Sequence, residues 1–558
     1  MACQYVPEKG ADDWSYYQQN PLPGTPVLPA YGLEQYGLPT LRRSSEAWSK
    51  FDVAGLVNQD YSGTPSGTGS NLVLDEATRD SYESIFRDRG IWIEEENCIG
   101  RLVYINGRYV PSLSLTSDYT MNLNKDDFTG KNSIVTDEVI KNMKHLPDGF
   151  SDRLEADVPN GDSHLTSFKA LSGPHHNVGE PTSQFSVNGQ AQSASFVALN
   201  SLRAGSVAFI NIPSNMTTST DNKRVLVINA KTSDAGYTGN GGAKKGVAFH
   251  PRSLVMIGEN SDFSFIQSFV DLDKENDEKS RPILCNSCTQ IYVKSNSTLT
   301  HSYMEETGGM VTVGVGDVSE NDGNDLASRE IEAKRTALRN THMESIDVHV
   351  IGDKGKYEGT VLNFGGNGRS RIITSNSLLR PGTHAGMNGL SLAGGAQRSE
   401  LRTLIHHIAQ GTTSKQLQRN MVGGRALASF RGKIRVEQSA QQTDSDQLVR
   451  TILLSDKSRA WAIPSMEIIA DDVTCAHGAT ISDLSSEELF YLRSRGLDLE
   501  TSRNILMFAF VAEIVKGVDP YFVGDKDEVS CLRNRVVRSL QNLVPKGERK
   551  IQGEFQSV

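Results

Sequence analysis

From about Phe196 onward the chain breaks into short β-branched runs separated by Gly, Asn, Asp or Ser clusters, and this pattern limits the fold more than any other feature. The runs cover residues 206–213, 224–230, 253–257, 264–270, 290–293, 311–315, 345–350, 359–363, 371–374, 433–436, 451–454 and 466–469. Many short strands at such spacing suit a sandwich, a barrel or a β-helix. Aromatic residues make up only 7% of the chain, and a β-helix, which stacks its strands along one axis, needs no aromatic-rich core. No strict hexapeptide or nonapeptide period is present. The charged segment 325–339 reads as a solvated surface helix that interrupts the strands.

Helical patterning flanks this body. Residues 1–35, rich in Pro, Tyr and Gly, read as a loosely ordered lead-in, and 36–195 as a helical region with polar insertions. Within it 75–87 predicts a helix closed by Gly90, 136–143 a second short helix, and 115–133 and 157–186 loops. Residues 196–482 form the β body and 483–558 a C-terminal helical docking domain. There Ser485-Ser486-Glu487-Glu488 has the form of a capping box. A following helix carries Ile505, Phe508, Ala509, Ala512 and Val515 on one face. A last one repeats Val529, Leu532, Val536, Leu540 and Leu543 at three- and four-residue steps, with Arg533, Arg535 and Arg538 opposite. Leu532, Val536 and Leu540 are the candidate anchors for a partner's groove.

Several functions are excluded by what the residues lack. Fifty-seven Lys plus Arg against 67 Asp plus Glu leave a net charge of −10, which argues against general nucleic-acid binding. The longest apolar run, 505–515, is too short to span a membrane and contains Glu513. No G-x-x-x-x-G-K-[ST] loop exists; residues 239–246 place Lys244 and Lys245 without the required flanking groups. Neither H-E-x-x-H nor G-x-S-x-G occurs. Six scattered cysteines suit a reducing compartment. Cys285 and Cys288 form a lone C-x-x-C, read as a strand-edge coincidence because no second pair completes a metal site. His406 and His407 point oppositely on a strand, one buried and one exposed.

The most unusual run is Ala470-Asp471-Asp472-Val473-Thr474-Cys475-Ala476-His477-Gly478-Ala479-Thr480. On a strand, Cys475 and His477 share one face, roughly 6.6 Å apart. Thiolate and imidazole suit iron or zinc, and the pair can supply two ligands to a site shared with another subunit. The plainer reading, which composition alone favours, makes the cysteine a small hydrophobe and the histidine a hydrogen-bonded strand end.

That run and its surroundings resemble the SufB/SufD family of iron–sulfur cluster assembly proteins, and SufD in particular. The resemblance rests on Leu299-Thr300-His301-Ser302-Tyr303, Thr413-Ser414-Lys415-Gln416, Phe430-Arg431-Gly432-Lys433-Ile434-Arg435-Val436 and Ala440-Gln441-Gln442-Thr443-Asp444. It continues through Ile463-Pro464-Ser465-Met466-Glu467-Ile468 and Leu489-Phe490-Tyr491-Leu492-Arg493-Ser494-Arg495-Gly496, with Leu38-Pro39-Thr40 and Glu46-Ala47-Trp48 upstream. It implies a mainly β chain: a right-handed parallel β-helix core flanked by N- and C-terminal helical regions. It also implies a non-enzymatic scaffold that pairs with SufB, docks the ATPase SufC and receives sulfur indirectly from a cysteine desulfurase system. No cofactor is permanently bound; iron or a nascent cluster passes transiently across the SufB interface, where His477 is the expected metal ligand and Cys475 its neighbour. Gly478, where SufB carries an acidic residue, favours SufD over a SufB-like homodimer. His406 stands where the family has an acidic residue, and Cys285 and Cys288 match no family motif. The compartment implied for a eukaryotic member is the plastid stroma, although no transit peptide is visible, and otherwise the cytoplasm. A β-helix enzyme acting on acidic polysaccharide is the rival from another class; it lacks clustered carboxylates beyond Asp471-Asp472 and aromatic platforms beyond Trp461.

Overall fold

The computed structural model describes residues 72–118, 133–139, 206–216, 224–232, 246–272, 282–306, 340–364, 368–518 and 532–543, together with Asn200 and the short strands Tyr5–Val6 and Tyr61–Gly63. Its body is a parallel β-helix. The strands are β1 (Ser206–Ile212), β2 (Arg224–Lys231), β3 (Arg252–Ile257), β4 (Asp262–Asp271), β5 (Ile283–Val293), β6 (Thr298–Glu306), β7 (Asn340–Val350) and β8 (Lys356–Asn363). They continue as β9 (Gly368–Leu378), β10 (His384–Ala393), β11 (Arg398–His407), β12 (Thr413–Val422), β13 (Leu427–Val436), β14 (Thr443–Leu453), β15 (Arg459–Ile468) and β16 (Val473–Ser482). Odd strands form sheet 1 and even strands sheet 2, each parallel to its same-sheet neighbour one coil away.

Each of the first seven passages from sheet 1 to sheet 2 turns on one residue in the left-handed region: Asn215, Asn260, Asn296, Lys354, Gly382, Gly411 and Gln442. Asn and Gly tolerate that conformation best, which is why they recur there. The amides stack as a ladder along this corner. Asn260 N–H donates to Ser295 O at 2.9 Å, Asn296 to Asp353 at 2.9 Å, Lys354 to Pro381 at 3.0 Å and Gly411 to Gln441 at 2.9 Å. Along the opposite corner, from sheet 2 to sheet 1, residues 233–245, 273–281, 307–339 and 365–367 fall outside the described residues. The strand expected at 311–315 and the charged helix expected at 325–339 therefore lie outside the described residues. So do nearly all of the lead-in 1–35, the loop 157–186 and most of 115–133.

Sheet 2 already begins at the strand Gly100–Ile105, parallel to β2, so the body starts within the region read as helical. Sheet 1 continues into Ser133–Val139, antiparallel to β1. The short helix expected over 136–143 is thus a strand over its first half, where Ile134, Val135, Thr136 and Val139 favour extended backbone. The helix expected from Asp75 forms as α1 (Glu76–Asp88). Asp75 accepts the Thr78 amide as N-cap, and Gly90 follows the helix at a φ of 61°.

Between the sheets lies an apolar core that includes Val255, Phe265, Phe269, Ile291, Ile346, Ile372, Phe430 and Ile434. Toward the C-terminal coils the interior turns polar. Gln447 Nε2 donates to Gln416 Oε1 at 2.6 Å, Gln416 Nε2 to Thr403 Oγ1 at 2.8 Å and Asn420 Nδ2 to Thr451 Oγ1 at 3.0 Å. The first and last of these bonds join residues 31 apart, one full coil. Because such polar side chains bond one another across coils, β10, β11 and β12 are buried strands without an alternating apolar signature.

The outer face of sheet 2 carries a second core. Leu362, Leu390, Leu417, Met421 and Ile452 pack against α3 (Leu499–Val515) and α4 (Leu532–Leu543), while α2 (Ser486–Ser494) precedes them. Ser485 caps α2 by accepting the Glu488 amide at 3.2 Å, as the capping box predicts. The face assigned to α3 is only partly right: Met507, Val511, Ile514 and Val515 are buried and Ile505 is exposed. That helix is apolar nearly all round, so its period does not select a face. Arg419 ties it down, 2.6 Å from Glu513 and with its guanidinium 4.7 Å from the Phe510 ring. Arg535, placed opposite the apolar stripe, is itself buried and bonded to Glu306 at 2.6 Å. No helix among the described residues is long and apolar enough to cross a membrane.

Candidate functional site

Among the described residues nothing covers the last coil of the β-helix. β15 and β16 are the outermost strands of the two sheets, and each is paired on one side only, to β13 and β14. Each therefore presents a row of backbone groups to any chain able to add a strand. Pro464 lies within β15, and proline inside a strand marks an edge. Trp461, Ile468, Ile469 and Ile481 are exposed on or beside these strands.

Cys475 and His477 both lie on β16, on the row that continues the interior face. Cys475 is half-buried and packs against the inter-sheet core. Burial raises its thiol pKa, and the nearby Asp444 adds to the effect. Its register partner, Ser445, bonds Ser414 at 2.7 Å, and Ser414 bonds His407 Nε2 at 2.9 Å. His477 is exposed and stands beside Gln447, the end of the glutamine ladder. It makes no hydrogen bond among the described residues, so the strand-end bond of the plainer reading is not formed, and neither is one to Asp472. Among the described residues no three His, Cys, Asp or Glu side chains converge on a point that would hold a metal ion. Cys475 and His477 can thus supply part of a ligand set only.

The other sites named from sequence fare differently. Leu532, Val536 and Leu540 are 0%, 0% and 3% exposed, buried against the chain's own sheet 2. They are not free to enter a partner's groove; the periodic face that singled them out is the one the chain itself covers. The helical module instead exposes Phe490, 62% accessible, with Tyr491 and Ile505. A signal was present in sequence: the run Leu489-Phe490-Tyr491-Leu492 is too continuous for all its members to face one core. Cys285 and Cys288 lie on β5, an interior strand flanked by β3 and β7 rather than a sheet edge. Three residues apart on a strand, they face opposite sides, and burial pushes each thiol up to about 12. His406 and His407 do point oppositely, yet both are buried. His407 bonds Thr412 and Ser414 inside, and His406 Nε2 bonds Glu437 outside at 2.7 Å, which holds Glu437 down at about 2.

Residues 238–510 match the model of the SUF system FeS cluster assembly, SufBD core domain. The chain belongs to the SufB/SufD family. The matched stretch runs from just before β3 through most of α3, so this SufB/SufD member carries its open terminal coil inside the family core. It is 29% identical over 286 residues to Arabidopsis thaliana "Protein ABCI7, chloroplastic", covering 50% of this chain and 52% of that protein. A SufBD family protein of Synechocystis is 28% identical over 271 residues, 48% of this chain and 53% of its own length. Escherichia coli iron–sulfur cluster assembly protein SufD is 30% identical over 191 residues, 34% and 41% respectively. The chain thus spans about half the length, or less, of these relatives.

Proposed function

We propose that this SufB/SufD member is a SufD-like scaffold subunit, without catalysis of its own, on which iron–sulfur clusters are assembled. The observation that carries the reading is the open terminal coil, where two adjacent strand edges, an apolar rim and the unbonded His477 coincide. SufB, having the same fold by family, adds its own edge strands to β15 and β16 by β-augmentation. The iron or nascent cluster is cargo at that junction. His477 contributes one ligand, Cys475 lines the inner side, and SufB supplies the remainder. Gly478 beside His477 supports the SufD role over a SufB-like homodimer.

The ATPase SufC docks on the helical module through Phe490, Tyr491 and Ile505. A separate ATPase is in keeping with a sequence that contains no phosphate loop. Sulfur reaches the complex from a cysteine desulfurase system. The plastid stroma is the proposed compartment, on the strength of the chloroplastic Arabidopsis relative.

The test is co-expression with SufB and SufC, followed by anaerobic reconstitution with iron and sulfide read by absorption spectroscopy. A stable three-subunit complex that builds a cluster, from a chain inert alone, is the expected result. A chain that self-associates and ignores added SufB favours the homodimer. A chain that cleaves acidic polysaccharide by itself overturns the scaffold reading.

A further inference from the structure

The polar chain inside the last coils has a direction. Thr403 on β11, Gln416 on β12 and Gln447 on β14 are all buried. Gln416 Nε2 donates to Thr403 Oγ1 at 2.8 Å, which leaves Gln416 Oε1 to accept Gln447 Nε2 at 2.6 Å. Gln416 is the register partner of Gln447 on the preceding coil, so the Gln447 amide turns its nitrogen back along the stack. Gly432, on the facing sheet, leaves the room that this amide occupies: a Cβ there would lie 2.3 Å from Gln447 Nε2.

The oxygen of the same amide is unmatched. Gln447 Oε1 is buried and has no hydrogen-bond partner among the described residues. An acceptor taken out of water without a donor is costly. The register partner of Gln447 on the next coil is His477, which is exposed and likewise without a hydrogen bond among the described residues. Adjacent strands lie about 4.8 Å apart, within reach of an amide and an imidazole. When one nitrogen of a neutral imidazole gives its lone pair to a metal, the other carries the proton. An acceptor for that second N–H fixes the tautomer and the orientation of the ring.

We infer that Gln447 is the positioning residue of His477: its Oε1 accepts the N–H of the ring nitrogen that does not ligate iron. The inference rests on the reading of His477 as a ligand at the SufB junction. Because Gln416 occupies the Gln447 nitrogen, only the oxygen is offered to the next coil. The amide therefore serves the protonated nitrogen of the ring and leaves the bare one for the metal. Thr403, Gln416 and Gly432 act one step further back, by holding that oxygen in place.

The test is anaerobic calorimetric titration of the complex of this chain with SufB and SufC, with ferrous iron as the probe. His477→Ala is expected to weaken iron binding. Gln447→Met, similar in size but without the oxygen, is expected to weaken it by about tenfold. In the His477→Ala background Gln447→Met should have no further effect, since it acts only through the ring. Gln447→Glu keeps an acceptor oxygen and should bind iron close to wild type. The Thr403 hydroxyl also lies 3.2 Å from Gln416 Oε1, so the Gln416 amide can turn its nitrogen toward the new carboxylate. Unchanged binding by Gln447→Met beside a weakened His477→Ala overturns the positioning role and leaves the ligand reading standing. A tenfold loss in Gln447→Glu overturns it as well, so the inference can fail even if Gln447→Met does not assemble. Wild-type binding by His477→Ala sinks the ligand reading itself, and this inference with it.

Discussion

His477 stands in register with Gln447 across β16 and β14, so an exposed imidazole terminates a ladder whose preceding members are buried and mutually hydrogen-bonded. Burial ends there because, among the described residues, no further coil covers the row. Whatever joins this coil meets a histidine without a hydrogen bond among the described residues.

Removing that imidazole should therefore affect what happens at the junction and not the fold. His477→Ala is expected to keep the unfolding free energy within about 0.5 kcal/mol of wild type, as for an exposed side chain. It should leave the complex with SufB and SufC assembled and lower the cluster formed per complex. Cys475→Ala should have the smaller effect on yield, since its contacts are packing contacts. Equal cluster yields for His477→Ala and wild type, at matched complex concentration, would remove the histidine from the proposed ligand set.

The two apolar sets of the helical module should separate in a stability and binding experiment. Leu532→Ala deletes a fully buried side chain and is expected to cost about 2–5 kcal/mol in chemical denaturation. Phe490→Ala and Tyr491→Ala, on exposed side chains, should leave stability nearly unchanged and weaken ATPase capture. The opposite pattern would return the docking role to the face that packs on sheet 2.

Thiol chemistry gives a third check. Cys285 and Cys288, buried and held near 12, should resist alkylation in the native chain, while half-buried Cys475 reacts measurably. Peptide mapping by mass spectrometry after a timed iodoacetamide pulse reads this directly. The Cys285→Ala, Cys288→Ala double variant should build clusters at the wild-type rate; a loss of iron in it would mean the pair has a role that its opposed geometry hides.

Glu344 predicts a pH dependence. Burial raises its carboxyl from 4.5 to about 8, against the downward pull of Ser287, Thr289 and Tyr303. The folded chain therefore keeps a proton that the unfolded chain has lost between those values. Its contribution to stability is full below about 4.5 and is lost as pH rises through about 8. The melting temperature should fall over that window, and Glu344→Gln should flatten the decline. An unchanged slope in the variant assigns the effect elsewhere.

Gly411 isolates the cost of the left-handed corner. A Cβ there would meet nothing within 4 Å, at a φ of 67°. Gly411→Ala should thus destabilise by about 1 kcal/mol through backbone conformation alone. A neutral result in equilibrium unfolding would show that the corner relaxes to another turn.

What the amino-acid sequence determined by itself was local. Short β-branched runs marked strand positions, and Ser485 and Asp75 marked helix starts. The motif around Cys475 and His477 pointed to the family before any coordinates. Tertiary structure decided everything that depends on residues about one coil apart. The strands 384–393, 398–407 and 413–422 escaped a pattern argument because polar side chains such as Gln416 and Asn420 are buried by bonding the next coil, 31 residues on. Leu532, Val536 and Leu540 formed a true apolar stripe, yet periodicity states only that a face is buried, never against what. In α3, apolar nearly all round, even the face was undetermined. His477 could be found from sequence. That it is exposed at an unpaired edge, while His407 ends up buried and doubly bonded, follows from which coil is last, and only the stacked register supplies that.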